Sequence, residues 1–234
     1  MFTIPKDVYK SWIGIIGKIR PEVELVIDNN VYLCTTDTAR VAMLELTLNV
    51  EPVEKTVFQF NVSSLLSINP KEDVEVFMED TRVYFKVGST KYKITKLADL
   101  QTHRTIPFKE FEGFTAKFVL TGELLTQVQQ MAKIIAGEKD PSDAIIFEVN
   151  DTIAQIKNKR MEQGIEIDIP REFVSFSEPT RVCYPQDYFA DLITYDHAFD
   201  VAIVEFKTDF PCIITYPGDL LQARVLIAPR IETE

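Results

Sequence analysis

Apolar residues recur at three- and four-residue spacing near the start of the chain, at Val8, Trp12, Ile15, Ile16 and Ile19. That period predicts a helix over 5–19 with one face buried. Pro5 suits its first turn, where a missing N–H costs nothing. The period then falls to two. Glu22 to Asp28 and the run from Val31 read as strands, and Asn29 with Asn30 between them predicts a tight hairpin.

The same succession returns in the second half. Phe118 and Leu120 lead into a helix over 121–135, with Leu124, Leu125, Val128, Met131, Ala132 and Ile135 on one face and Thr121 as its N-cap. A strand from Ala144, a turn at Asn150 and Asp151, and a strand from Thr152 repeat the hairpin. Further on, Asp-Val-Glu-Val from Asp73 corresponds to Asp-Val-Ala-Ile from Asp200, each preceded by a short helical segment, 61–68 and 185–194. The chain reads as a duplication. Each half is an α+β domain, with helices on one face of a mainly antiparallel sheet. Segment 99–112 has no clean period and contains Pro107, which predicts a connector between domains at 1–98 and 113–234. An ordinary loop inside one domain is the alternative.

Composition narrows the function classes. With 46% hydrophobic residues and 16 Phe in 234 positions, the chain has material for packed sheets and is not disordered by low hydrophobicity. A balance of 36 acidic against 25 basic residues, formally -11, excludes a generally basic nucleic-acid binder, so any such contact must be local. No stretch is apolar enough to span a bilayer, and the start lacks the layout of a signal peptide, so an intracellular location without a membrane partner is expected. Cys34, Cys183 and Cys212 are odd in number, far apart and set in strand-like runs, which predicts buried free thiols.

Little chemistry stands out. The chain has two histidines, His103 and His197, and no nucleophile-elbow, phosphate-loop or zinc-binding motif. Acidic groups such as Glu138, Asp140 and Asp143 are explained by a solvated turn. No catalytic residue, metal or cofactor is expected.

Three stretches carry a resemblance. The segment from Thr35 to Leu48, with Asp37, Arg40, Val41 and Met43, is similar to the signature turn and strand of the proliferating cell nuclear antigen (PCNA) family, its archaeal members included. Phe210 to Tyr216 resembles the family's Pro-Leu-x-Ile-x-Tyr strand, and the run from Leu226, Leu-Ile-Ala-Pro-Arg-Ile-Glu, resembles its terminus. The resemblance implies two similar domains of the DNA-clamp (processivity-fold) type, with antiparallel sheets outside and helices inside a ring of three subunits. It implies a DNA sliding clamp that encircles duplex DNA without reading sequence, with no catalysis of its own, working at the chromosome.

The family's partner-peptide pocket carries over to Thr36, Arg40, Val41, Met43, Arg104, Ile106, Pro107, Pro211, Ala228, Pro229, Arg230 and Ile231. Arg104 departs from the family, which more often has an apolar residue there. The implied partners are a clamp loader and, through clamp-binding peptides, DNA polymerase, flap endonuclease and DNA ligase. Opposite the apolar stripes, the long helices are expected to turn Lys6, Lys10, Lys18, Arg20, Lys133 and Lys139 toward DNA, with Gln129 and Gln130 on that face. The short helices are expected to add Ser63, Ser64, Ser67, Gln186, Asp187 and Asp191 there. Ring closure would pair an edge strand carrying Thr90, Tyr92 and Ile94 with one carrying Ile165, Ile167 and Ile169. The first is rich in Lys and the second in Glu and Asp, which favours head-to-tail pairing and a homotrimer. A heterotrimer or a damage-signalling clamp is the near alternative. A plain α+β interaction protein, or a hydrolase using Asp187 or Asp191, is the distant one.

Overall fold

A computed structural model describes residues 1–79, 81–97, 108–136, 144–159, 164–193 and 199–230. The chain divides into two compact units. One is Met1–Ile106 with Pro217–Ala223, and the other is Pro107–Tyr216 with Arg224–Glu234.

The first unit runs β1 (Phe2–Ile4), α1 (Lys6–Ile19), β2 (Glu22–Ile27), β3 (Val31–Thr36), β4 (Ala42–Leu48), β5 (Thr56–Asn61), β6 (Val74–Glu79), β7 (Arg82–Val87) and β8 (Thr90–Thr95). Helix α1 forms because Tyr9, Trp12, Ile16 and Ile19 return to one side, widened by Ile13 and Ile15, and all are buried. Pro5 caps the helix from outside its first turn: its carbonyl accepts the N–H groups of Val8 and Tyr9, both at 3.1 Å. Two antiparallel groups of strands stand in the orders β1-β6-β7-β8 and β4-β3-β2-β5. Their inward residues alternate as a half-buried sheet demands, for example Val23, Leu25 and Ile27. Phe60 of β5 meets Phe85 of β7 with ring centroids 5.7 Å apart, so both groups feed one core. The free edge of β4 is taken by a late strand, β17 (Leu221–Ile227). At that end Asn49 donates its N–H to the Leu220 carbonyl at 2.7 Å and its side-chain amide to the Asp219 carbonyl at 2.8 Å.

The second unit runs β9 (Ala116–Thr121), α2 (Gly122–Ala136), β10 (Ala144–Val149), β11 (Ala154–Lys159), β12 (Glu166–Asp168), β13 (Val174–Phe176), β14 (Thr180–Pro185), α3 (Gln186–Ile193), β15 (Val201–Phe206) and β16 (Cys212–Tyr216), then its share of β17. Its strand orders are β12-β11-β10-β14 and β13-β9-β15-β16-β17. Phe147 joins the parts: its ring lies 5.2 Å from Tyr184 of β14, 5.5 Å from Phe189 of α3 and 5.3 Å from Phe206 of β15. The α+β class and the two similar halves stand as the period implied.

Several local expectations are corrected. Thr121, expected as a cap, is also the last residue of β9, paired with Val201, and the strand runs straight into a helix whose first residue, Gly122, takes φ +50°. Only one 3-10 turn, Ser63–Leu65, forms in 61–68, since Asn61 still belongs to β5. Cys34 is half-buried rather than buried, while Cys183 and Cys212 lie inside.

Gly17 has a packing explanation. A Cβ built on it would lie 2.9 Å from Leu66 Cδ2, so Leu66 lies against the bare helix surface. Leu66 is 49% exposed and free to turn outward. Gly17→Ala is therefore expected to raise stability by up to ~1 kcal/mol through helix propensity. Urea unfolding checks this, and a loss of similar size would mean that Leu66 is held in place.

Candidate functional site

In the first unit the signature turn is built around one carboxylate. Asp37 is buried, and its Oδ1 accepts the N–H groups of Val41 at 2.7 Å and Ala42 at 2.8 Å, while Oδ2 accepts that of Ala39 at 3.0 Å. Each charge-assisted bond satisfies an amide that the strand ladder leaves over. Thr36 adds a bond from Oγ1 to the Ala42 carbonyl at 3.0 Å. This framework holds Arg40 at φ +59°, a left-handed conformation costly for a residue with a Cβ. It leaves Arg40 exposed, Val41 half-buried and Met43 buried opposite Thr36. Asp37 was absent from the expected site residues, although an Asp opening a short loop between two strands is the signal for such a turn.

In the second unit strand β14 anchors two segments. The Cys183 carbonyl accepts the Arg230 N–H at 2.8 Å, which fixes the run Ala228, Pro229 and Arg230. Tyr184 donates its hydroxyl to the Phe210 carbonyl at 3.0 Å, which positions Pro211. The Phe210 ring is met edge-on by Phe111 and Phe114 at 6.2 and 5.8 Å. Pro211, Ala228, Pro229 and Arg230 are all half-buried, a surface with apolar character. Beneath it, burial pushes the Cys212 thiol up to about 12 against a smaller opposing effect of the Tyr184 hydroxyl, so the sulfur stays protonated and is no nucleophile. Arg104, Ile106, Pro107, Ile231 and Lys139 lie outside the described residues, as do Glu138, Asp140, Asp143, His103 and His197.

On the helices, Lys6, Lys10 and Lys18 are exposed along α1 and Arg20 is half-buried after it. Lys133 is exposed on α2 beside Thr126 and Gln130. Gln129 does not join them: it is 7% exposed, and its Nε2 has no partner among the described residues. Gln186 is likewise buried, because α3 turns that side inward, whereas Asp187 stays exposed. The helical period identifies a face only to within one residue either side of its margin, and both glutamines fall on that margin.

Both expected edge strands lie at edges. β8 ends its strand order and β12 ends the other. Thr90 and Tyr92 are exposed and Ile94 half-buried, while Ile165 is half-buried and Ile167 and Ile169 are buried. Among the described residues no group of three or more His, Cys, Asp or Glu is placed to hold a metal ion, and no helix is long and apolar enough to cross a membrane.

No known family profile and no curated protein sequence matches the chain. Solved structures do. The chain is similar to A. fulgidus PCNA, determined with the C-terminal region of FEN-1 bound, at TM-score 0.82 and 20% identity, covering 100% of both chains. A PCNA2-PCNA3 complex from Sulfolobus tokodaii matches at 0.82 and 12% identity over 99% of each chain. PCNA from Thermococcus kodakaraensis matches at 0.80 and 16% identity, over 98% of this chain and 100% of that one. The fold is thus that of PCNA sliding clamps, end to end.

The Asp37 turn yields a test. Asp37→Ala strands three amides and is expected to cost ~2–4 kcal/mol, with Asp37→Asn milder because Oδ1 keeps its two bonds. Arg40→Val is expected to cost ~1–2 kcal/mol, while Arg40→Gly costs nothing. Denaturant midpoints of the four variants check this ranking.

Proposed function

We propose that this chain, which has the PCNA clamp fold, is a DNA sliding clamp: three copies close into a ring around duplex DNA and tether replication and repair enzymes, making and breaking no bond themselves. One observation carries the reading. The duplication makes β12 the counterpart of β4, each the third strand after a long helix, and β8 the counterpart of β17. β17 stands next to β4 in one strand order, whereas β8 and β12 each end theirs. The pairing made once within the chain is left available once more between chains, and a second copy supplies it.

The remaining roles follow as parts of the same reading. Lys6, Lys10, Lys18, Arg20 and Lys133 face the DNA, repeated threefold by the ring. Such phosphate contacts are sequence-independent and salt-sensitive, which permits sliding. Few cations per subunit make enclosure, more than attraction, the source of retention. Within the second unit the segment 228–230 with Pro211 receives clamp-binding peptides, where each buried apolar anchor contributes ~1.5–3 kcal/mol, and the Arg40 turn of the first unit is a separate candidate surface for such peptides. The FEN-1 tail bound to the A. fulgidus protein supports that role. A loader, a polymerase, a flap endonuclease and a ligase are the partner classes, at the chromosome. A second reading, a heterotrimer, is favoured by the PCNA2-PCNA3 complex. It would take over if the pure chain stayed monomeric at micromolar concentration and related subunits completed the ring.

Retention on DNA tests the clamp directly. Protein loaded on nicked circular DNA is expected to stay through a high-salt wash and to be lost when the circle is cut, since only a topological link is released by a free end. Salt-sensitive retention on circle and linear form alike would contradict the ring.

A further inference from the structure

We infer that the sheet β1-β6-β7-β8 of the first unit holds single-stranded DNA on the face turned away from its core, where two stacked aromatic rings stand among surplus cations. The site goes beyond the clamp reading and rests on it only for the choice of DNA over other single strands.

Burial sorts the side chains of this sheet into two faces. Val74 and Val76 of β6 and Val83 and Phe85 of β7 are buried. Glu75, Phe77 and Glu79 therefore point the other way, directly opposite Lys86, Tyr84 and Arg82 of β7. On β8 the same rows continue through Lys91, Lys93 and Thr95. The middle row reads Phe77, Tyr84, Lys93, with Glu75, Lys86 and Lys91 on one side of it and Glu79, Arg82 and Thr95 on the other.

The rings of Phe77 and Tyr84 stack, with centroids 5.1 Å apart and planes 10° from parallel. Both residues are half-buried. The other ring pairs described, most of them in the cores, are tilted or edge-on. A cross-strand aromatic pair by itself does no more than stabilise its sheet. The charge around this one points to a ligand.

Lys86 is matched by Glu75, whose two carboxylate oxygens it meets at 3.0 Å. Lys91 instead lies 5.4 Å from the centre of the Phe77 ring. Lys91, Lys93 and Arg82 are all exposed and have no carboxylate partner among the described residues. Glu79 is the one acidic group on this face left to oppose them. Three cations against one carboxylate make a local positive surface on a chain whose formal charge is -11.

A ligand that suits this face is an anion carrying flat rings. A single strand of nucleic acid offers both, phosphates for the cations and bases for the aromatic stack, with no need of a particular sequence. Duplex DNA fits less well, because its bases already stack on one another. An acidic peptide would answer the charge and leave the parallel rings without a role. A base extends the stack from Tyr84 toward Lys93, and the flanking phosphates meet Arg82 on one side and Lys91 on the other.

Fluorescence anisotropy with a short labelled oligothymidine tests this. Binding is expected at low salt, with log affinity falling against log salt at a slope of about -2, as three phosphate contacts on a single strand give. Tyr84→Leu is expected to weaken it about tenfold through lost stacking, while Tyr84→Phe, which keeps the ring, binds as wild type. Arg82→Glu on the exposed surface is expected to weaken binding and flatten the salt slope. Binding that ignores both Tyr84→Leu and Arg82→Glu, or no binding at low salt, would overturn the site. Tighter binding of linear duplex or of poly-glutamate through the same residues would overturn the single strand as its occupant, and tighter binding of oligouridine would overturn DNA. Retention of Tyr84→Leu on nicked circles is expected to match wild type, so failure of this site leaves the clamp standing. A chain lost from circles that still binds oligothymidine through Tyr84 would support the site and contradict the ring.

Discussion

The main-chain hydrogen bonds that the chain cannot make alone govern the rest of the structure. An exposed strand edge with free amide and carbonyl groups invites any other strand. β8 presents such an edge with Thr90 to Lys93 all exposed, and β12 presents another. In the proposed ring, lysines on one and carboxylates on the other turn an aggregation liability into a selective one. The same edge problem is answered inside the chain at β4, where β17 fills the position.

Everything else positions these edges. Each unit buries a long helix against strands, with a few aromatic residues fixing the alignment: Phe60 on Phe85 in the first, and Phe147 among Tyr184, Phe189 and Phe206 in the second. Cores packed this densely tolerate little sliding, so the open edges keep a defined phase. Elsewhere, single polar groups do comparable work. Asp37 organises a turn through three amides, and the β14 carbonyl at Cys183 anchors the run to Arg230.

Much of this was legible in the sequence. Long periodic segments such as 5–19 and paired runs around Asn29–Asn30 and Asn150–Asp151 announced helices and hairpins, because burial imposes a period on any segment packed along one face. The charge contrast between the runs from Thr90 and Gly164 was visible too. Other features depended on contacts between distant residues. Thr121 has the right side chain for a cap, yet its pairing with Val201 keeps it in a strand. Gln129 and Gln186 sit at the margins of helical faces, where neighbouring elements decide burial. Gly17 answers to Leu66, a partner that no local pattern reveals. Asp37 lay within the recognised turn, but its buried carboxylate makes a structural contribution that motif similarity alone does not disclose.

Amide hydrogen exchange at the open edges measures the governing interaction itself. If copies pair through β8 and β12, the N–H groups of Lys91, Lys93, Glu166 and Asp168 exchange slowly at high protein concentration and become fast on dilution, in step with one another. The amides of Tyr92 and Ile167, already bonded within their own sheets, change far less. Fast exchange at all four edge positions, whatever the concentration, would contradict the account.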